Sequence, residues 1–143
     1  MIMDRTLLFS DRQAITASAA STNVVELGET GTVYGATSPV VRDIGNGTAI
    51  PLTVAITEGF NNLTSLTIAI QVDDNAAFTS AKTVYTTPAI VLADLGAGDE
   101  RPLPDFIPRG TNERFLRLYY TVTGTAPSLG RITAGVSMGN QTN

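Results

Sequence analysis

The chain has no cysteine, no histidine and no tryptophan, and Lys82 is its single lysine. Without cysteine there is neither a disulfide nor a thiol nucleophile. Without histidine a serine triad lacks its usual base, and without both the side chains that dominate zinc sites are missing. Most enzyme mechanisms lose a part, so the chain is expected not to be an enzyme and to use no cofactor. Paired carboxylates remain, and Asp73-Asp74 followed by Asn75 is the densest acidic cluster. Neighbouring residues on an extended strand point to opposite faces, however, and Asp and Asn are common turn formers, so this cluster reads as a turn closing the preceding strand.

Other absences narrow the partners. The amino-terminal "MIMDRTLLFSDRQ" offers only Leu7-Leu8-Phe9 as an apolar core, too short for a secretory signal or a membrane span, so a protein kept soluble inside the cell is expected. A net charge of −4, with basic residues scattered along the chain, lacks the dense positive patch that nucleic acid requires. The three glycines of "GETGTVYG" have the wrong spacing for a phosphate loop and read as turn residues. Eight of the nine basic residues are arginines, a bias that suits planar interface contacts as readily as it suits compositional drift.

What is present is alternation. Leu116, Leu118, Tyr120 and Val122 are apolar at every second position, while Arg117, Tyr119, Thr121 and Thr123 project the other way. Ile132, Ala134, Val136 and Met138 repeat the pattern against Arg131, Thr133, Gly135 and Ser137. Two further amphipathic strands run over 50–56 and 66–72. Gly59 with Asn61-Asn62, and the segment 124–130, have turn chemistry and predict hairpins joining 50–56 to 66–72 and 116–123 to 131–138. Shorter strands are expected over 6–9, 24–27, 40–44, 83–86, 90–93 and 103–107, the last confined by three prolines to an edge or an extended crossover, and Asn46-Gly47 suits a tight turn. The expected core is Leu52, Val54, Ile56, Leu66, Ile68, Ile70, Leu116, Leu118, Val122, Ile132 and Val136. Many short strands punctuated by Gly and Pro, in 143 residues, indicate one all-β domain, an antiparallel sandwich or barrel. Residues 14–23, "AITASAASTN", are small and uncharged and read either as a flexible arm that orders on a partner or as an ordinary surface loop.

Three stretches, "IPRGTNERFLRLYYTVTGTAPSLGRITAGV", "GTVYGATSPVVRDIGNGTAIPL" and "LTIAIQVDDNAAFTSAKTVY", together with the opening "MDRTLLFSDRQAIT", resemble the capsid cement, or decoration, proteins of short-tailed bacteriophages. The resemblance implies a jelly-roll β-sandwich, made in the host cytoplasm and carried on the outer surface of the virion. There it would bind neighbouring major capsid proteins, as a homodimer or a trimer, with no nucleic-acid or membrane partner. A face of Arg, Tyr and Thr suits such a contact, because these side chains supply area and hydrogen bonds at modest ordering cost. Arg117, Tyr119, Thr121, Arg131 and Thr133 are therefore the candidate interface residues. A tail-associated protein or a receptor- or carbohydrate-binding module is the alternative; the low aromatic content weakens the carbohydrate reading.

Overall fold

The computed structural model describes residues 2–45, 49–104 and 106–138 and is all-β. Among the described residues ten strands are formed: β1 (Met3–Ala14), β2 (Ala19–Ala20), β3 (Val25–Glu26), β4 (Leu52–Glu58), β5 (Leu63–Asp73), β6 (Lys82–Thr86), β7 (Ile90–Val91), β8 (Glu100–Pro102), β9 (Phe115–Gly124) and β10 (Arg131–Ser137). One sheet has the order β1-β10-β4-β8; the other is β2-β9-β5-β6, with β3 also beside β9 and β7 also beside β5. Every pairing between strands is antiparallel.

The pairings are nested. The first strand pairs with the last (β1 with β10), β2 and β3 pair with β9, β4 with β8, and β5 with β6 and β7. A long antiparallel ribbon folded over on itself in this way is the jelly roll, a sandwich in which successive arms of the ribbon alternate between sheets. β2 and β3 act as two pieces of one interrupted strand, as do β6 and β7.

This topology replaces both expected hairpins. β4 and β5 lie in different sheets, as do β9 and β10, so the reversals at 59–62 and 125–130 cross from one layer to the other. The turn chemistry is real: Asn62 has φ +64, and Asn61 accepts the backbone N–H groups of Ser128 and Leu129, which ties the two crossings together. Gly130 is required beside them, since it has φ +133 and a Cβ there would lie 2.3 Å from the Phe60 ring. The alternating pattern brings the apolar faces of these strands into contact across the sandwich, where the hairpin reading had placed them side by side.

The core is the one the alternation indicates. Leu52, Val54, Ile56, Leu66, Ile68, Ile70, Leu116, Leu118 and Ile132 are buried, and Val122 and Val136 are half-buried against them. Met138 lies past the end of β10 and is 83 % exposed. Gly135 and Ser137, expected at the surface, are buried: the Leu8 side chain lies over Gly135, and the Ser137 hydroxyl accepts from Thr53 at 3.3 Å. No strand forms over 40–44, where Arg42 and Asp43 are drawn into loop contacts, and among the described residues of 103–107 no strand forms either: Leu103 and Ile107 are buried and Phe106 bridges to Ala49. The Asn46-Gly47 turn falls outside the described residues. The Asp73 turn forms as expected, and its carboxylate accepts from the backbone N–H groups of Asn75 and Ser80 and from the Ser80 hydroxyl.

A polar chain crosses the apolar core. The Tyr120 and Ser10 hydroxyls are 2.7 Å apart, and Ser10 donates to Gln13 Oε1 at 2.7 Å. The Thr22 N–H donates to the same Gln13 oxygen, and Gln13 Nε2 donates to the Ala20 carbonyl. A carbonyl can only accept and an amide N–H can only donate, so the Gln13 amide orientation is determined. Ser10 therefore gives its proton to Gln13, and Tyr120 must donate to Ser10. Burial pushes the Tyr120 phenol upward, against the opposing effect of the Ser10 bond. The chain joins β9 of one sheet to β1 of the other. Residues 14–23 are bound to the same region: Ile15 is buried, Ser21 exchanges hydrogen bonds with Leu118, and the Ser18 hydroxyl accepts the Val122 N–H.

Candidate interaction surface

The five residues selected from the sequence separate into two groups. Arg117, Tyr119 and Thr121 lie on the outer face of the β2-β9-β5-β6 sheet; Arg131 and Thr133 lie on the outer face of the other. Because β9 and β10 belong to different layers, the two groups face away from each other across the sandwich.

Their surroundings also differ. Arg117 is half-buried, stacks over the Phe78 ring at 4.0 Å and donates to Gln71 Oε1 at 2.9 Å. Desolvation lowers its guanidinium from the ordinary value, partly countered by Tyr119 and Asp73. Phe78 is held beneath it at φ +53, a conformation unusual for a bulky residue. The turn over-determines that geometry through Asn75, whose carbonyl accepts the Phe78 N–H and whose side chain accepts the Ala77 N–H. The Asp73 carboxyl is pulled upward by burial but downward by more numerous hydrogen bonds, from Asn75, Ser80 and Asp74, and is held at about 2. The Asp73 carboxyl, as hydrogen-bond partner and as a neighbouring negative charge, pushes Asp74 upward together with burial. On the opposite face Arg131 pairs with Glu58 at 3.0 Å and donates to the Arg12 carbonyl, and the Thr133 hydroxyl accepts the Arg12 N–H. Arg117 and Arg131 are thus engaged within the protein, whereas Thr121 is open to solvent.

The outer face around Thr121 has a distinct composition. Thr67 stands opposite Thr121, Ser65 opposite Thr123, Ala69 opposite Tyr119 and Gln71 opposite Arg117. Over this span Arg117 is the only charged residue pointing outward. The other sheet's outer face carries Arg12, Arg131, Glu58 and Glu100.

A second surface lies at one end of the roll, on the long connection between β3 and β4. Residues 31–42 are all exposed, and within them are Val33 (61 %), Tyr34 (104 %) and Val41 (85 %), with Val40 beside them. Water alone gives no reason for this apolar group to stand clear of the fold. The loop is nonetheless anchored. Val40 N–H donates to the Gly31 carbonyl and Ala36 N–H to the Val33 carbonyl, forming a reversal at the tip. At the base, Arg42 donates to the carbonyls of Leu27 and Gly28, and Arg114 pairs with both Glu26 and Glu29. Asp43 accepts the N–H groups of Gly110 and Gly45, each at 2.9 Å. The Gly110 bond is the largest cause holding its carboxyl below the ordinary range, against the cost of burial. Gly45 has no substitute here, because a Cβ would lie 2.0 Å from the Pro108 carbonyl oxygen.

Sequence reasoning passed over this loop because Val40 and Val41 suggest a strand. The usable signal was the length of the connection, since a long irregular loop in a small domain is commonly functional. Among the described residues no group of three or more acidic side chains could hold a metal ion, and no helix is long and apolar enough to cross a membrane.

The model of the Bbp16 family matches residues 9–136, from the interior of β1 to the penultimate residue of β10. The chain belongs to the Bbp16 family, whose name is phage-related. No curated protein matches it.

Proposed function

We propose, from membership of this phage-related family and from the exposed apolar loop, that the protein is a capsid decoration, or cement, protein. It binds the outer surface of the shell, meets the major capsid protein through the end of the roll that carries residues 31–42, and bridges neighbouring subunits as a homodimer or trimer. The role is structural, not catalytic. The observation that supports it most is the group of Val33, Tyr34 and Val41, solvent-exposed yet braced at its base by Arg42, Asp43 and Arg114. A loop braced at its base loses less conformational entropy on docking than a free one, and it gains from each aromatic or branched side chain that it buries.

Repetition would then supply strength: when one protomer of a dimer is seated, the contact of the second is effectively intramolecular, and avidity rises by roughly a hundredfold or more. The modest acidity suits the exterior of a shell better than a lumen filled with nucleic acid.

The test is add-back to particles prepared without this protein, followed by occupancy and thermal rupture measurements. Wild type should decorate and stabilise the shells, and Tyr34→Ala with Val41→Ser should lose occupancy while remaining folded. Wild type that fails to bind shells but labels tails would establish the tail-associated alternative.

A further inference from the structure

Resting on that reading, we propose that the outer face of the β2-β9-β5-β6 sheet is the surface through which two copies of the chain meet. Each copy carries a net charge of −4, so copies repel unless they approach through a surface without carboxylates. This face is such a surface. From Ser65 to Gln71 on β5 and from Arg117 to Thr123 on β9, no outward residue is acidic. The nearest carboxylates stand at its rim and are engaged, Asp73 in its own turn and Glu26 with Arg114. On the opposite sheet Glu58 is engaged by Arg131, but Glu100 stands on the outer face opposite Ala55, a carboxylate that a pairing through that face would have to cover.

The relief of the face also suits a second copy. Tyr119 stands between Ala20 on one neighbouring strand and Ala69 on the other, a large side chain flanked by two small ones. A twofold operation sets each protrusion against the other copy's depressions, which is the self-complementarity that an isologous contact requires. Thr67 opposite Thr121 extends the face as a flat, uncharged strip on which aligned sheets can pack.

The size of the patch sets the expected strength. Four strands make it about 15 Å wide, and six residue steps make it about 20 Å long, so two copies bury roughly 600 Å² before the rim is counted. That falls within the class of weak contacts, below roughly 1,200 Å². The isolated dimer should therefore dissociate in the micromolar range, and its assembly on a shell would rely on the avidity described above.

The test needs no shell, so its failure is separate from failure of the decoration role. Sedimentation of the isolated full-length protein is measured over a concentration series up to about 1 mM, a range that covers such affinities. Wild type should pass from monomer to dimer. Thr121→Glu, which places a carboxylate near the centre of the contact, should raise the dissociation constant by at least roughly tenfold. Thr125→Glu adds the same charge in an exposed loop and should leave association unchanged. Because the chain has no native cysteine, Thr121→Cys gives an independent reading that removes no core contact. On oxidation it should form covalent dimers in far higher yield than Thr125→Cys. A wild-type protein that stays monomeric throughout, a Thr121→Glu protein that dimerises as wild type does, or equal cross-linking at the two cysteine positions would each overturn the assignment. If Thr121→Glu instead abolished shell binding by a monomeric protein, the face would belong to the shell contact.

Discussion

The hydrogen-bond chain through the core makes unequal predictions for its two ends. In Tyr120→Phe the phenol is lost, but Ser10 still donates to Gln13, so no buried polar group is left without a partner. The cost should be that of one net hydrogen bond, about 0.5–1.5 kcal/mol. In Ser10→Ala the fully buried Tyr120 hydroxyl loses its acceptor, while Gln13 Oε1 keeps the Thr22 N–H. An orphaned buried hydroxyl costs about 1–3 kcal/mol, so although each substitution removes a single oxygen, the serine variant should be the more damaging. The double variant removes both groups and should cost clearly less than the sum, with a coupling energy of about 1 kcal/mol. Urea unfolding of the four proteins, with equal m-values as the check on two-state behaviour, gives the cycle directly. If Tyr120→Phe is as costly as Ser10→Ala, or if the two effects add within about 0.3 kcal/mol, the assigned proton direction is wrong.

Three further outcomes are expected. Leu118→Ala, at the centre of the core, should lose about 2–4 kcal/mol in chemical denaturation. Arg117→Ala should lower the melting temperature, because it removes the stack on Phe78 and the Gln71 bond, a loss of about 1 kcal/mol, and Arg117→Lys should restore only part of it; an unchanged melting temperature would refute the structural role. Asp43 and Asp73 have carboxyls depressed in the folded protein, so the stability they supply is complete above the ordinary carboxylate range. It is lost as pH falls through the folded values, for Asp73 from about 4 towards about 2. Thermal melts across that window should show a steeper acid loss in wild type than in Asp73→Asn.

The strands and the core were legible because their signal is local. At 66–72 and 116–122 each apolar residue is two positions from the next, and burial on one face follows whatever strand lies alongside. Strand pairing was not legible, because it is decided elsewhere in the chain. Asn61-Asn62 and the glycines at 124 and 130 announce that the chain reverses, and that chemistry is the same whether the return strand joins its own sheet or the facing one. Choosing between them requires knowing that β1 takes the place beside β10, a contact with no local signature. The same limit applied to the candidate interface residues. Arg117 and Tyr119 are legible as outward-facing, but the aromatic ring that occupies Arg117 arrives from a turn some forty positions earlier, and neither Val33 nor Tyr34 carries any periodicity to mark it as exposed.

The nested pairing also governs when the protein can form. Ser10 and Tyr120 are 110 positions apart, and β1 finds its partner only in β10. On a translating ribosome β1 waits, with one edge open, until the last strand has emerged, so the roll closes as a single late event. Folds dominated by such distant contacts fold in milliseconds to seconds. A roll that closes only with its last strand leaves few half-built forms, and it is those forms that would expose the unpaired edge of β10 to another chain.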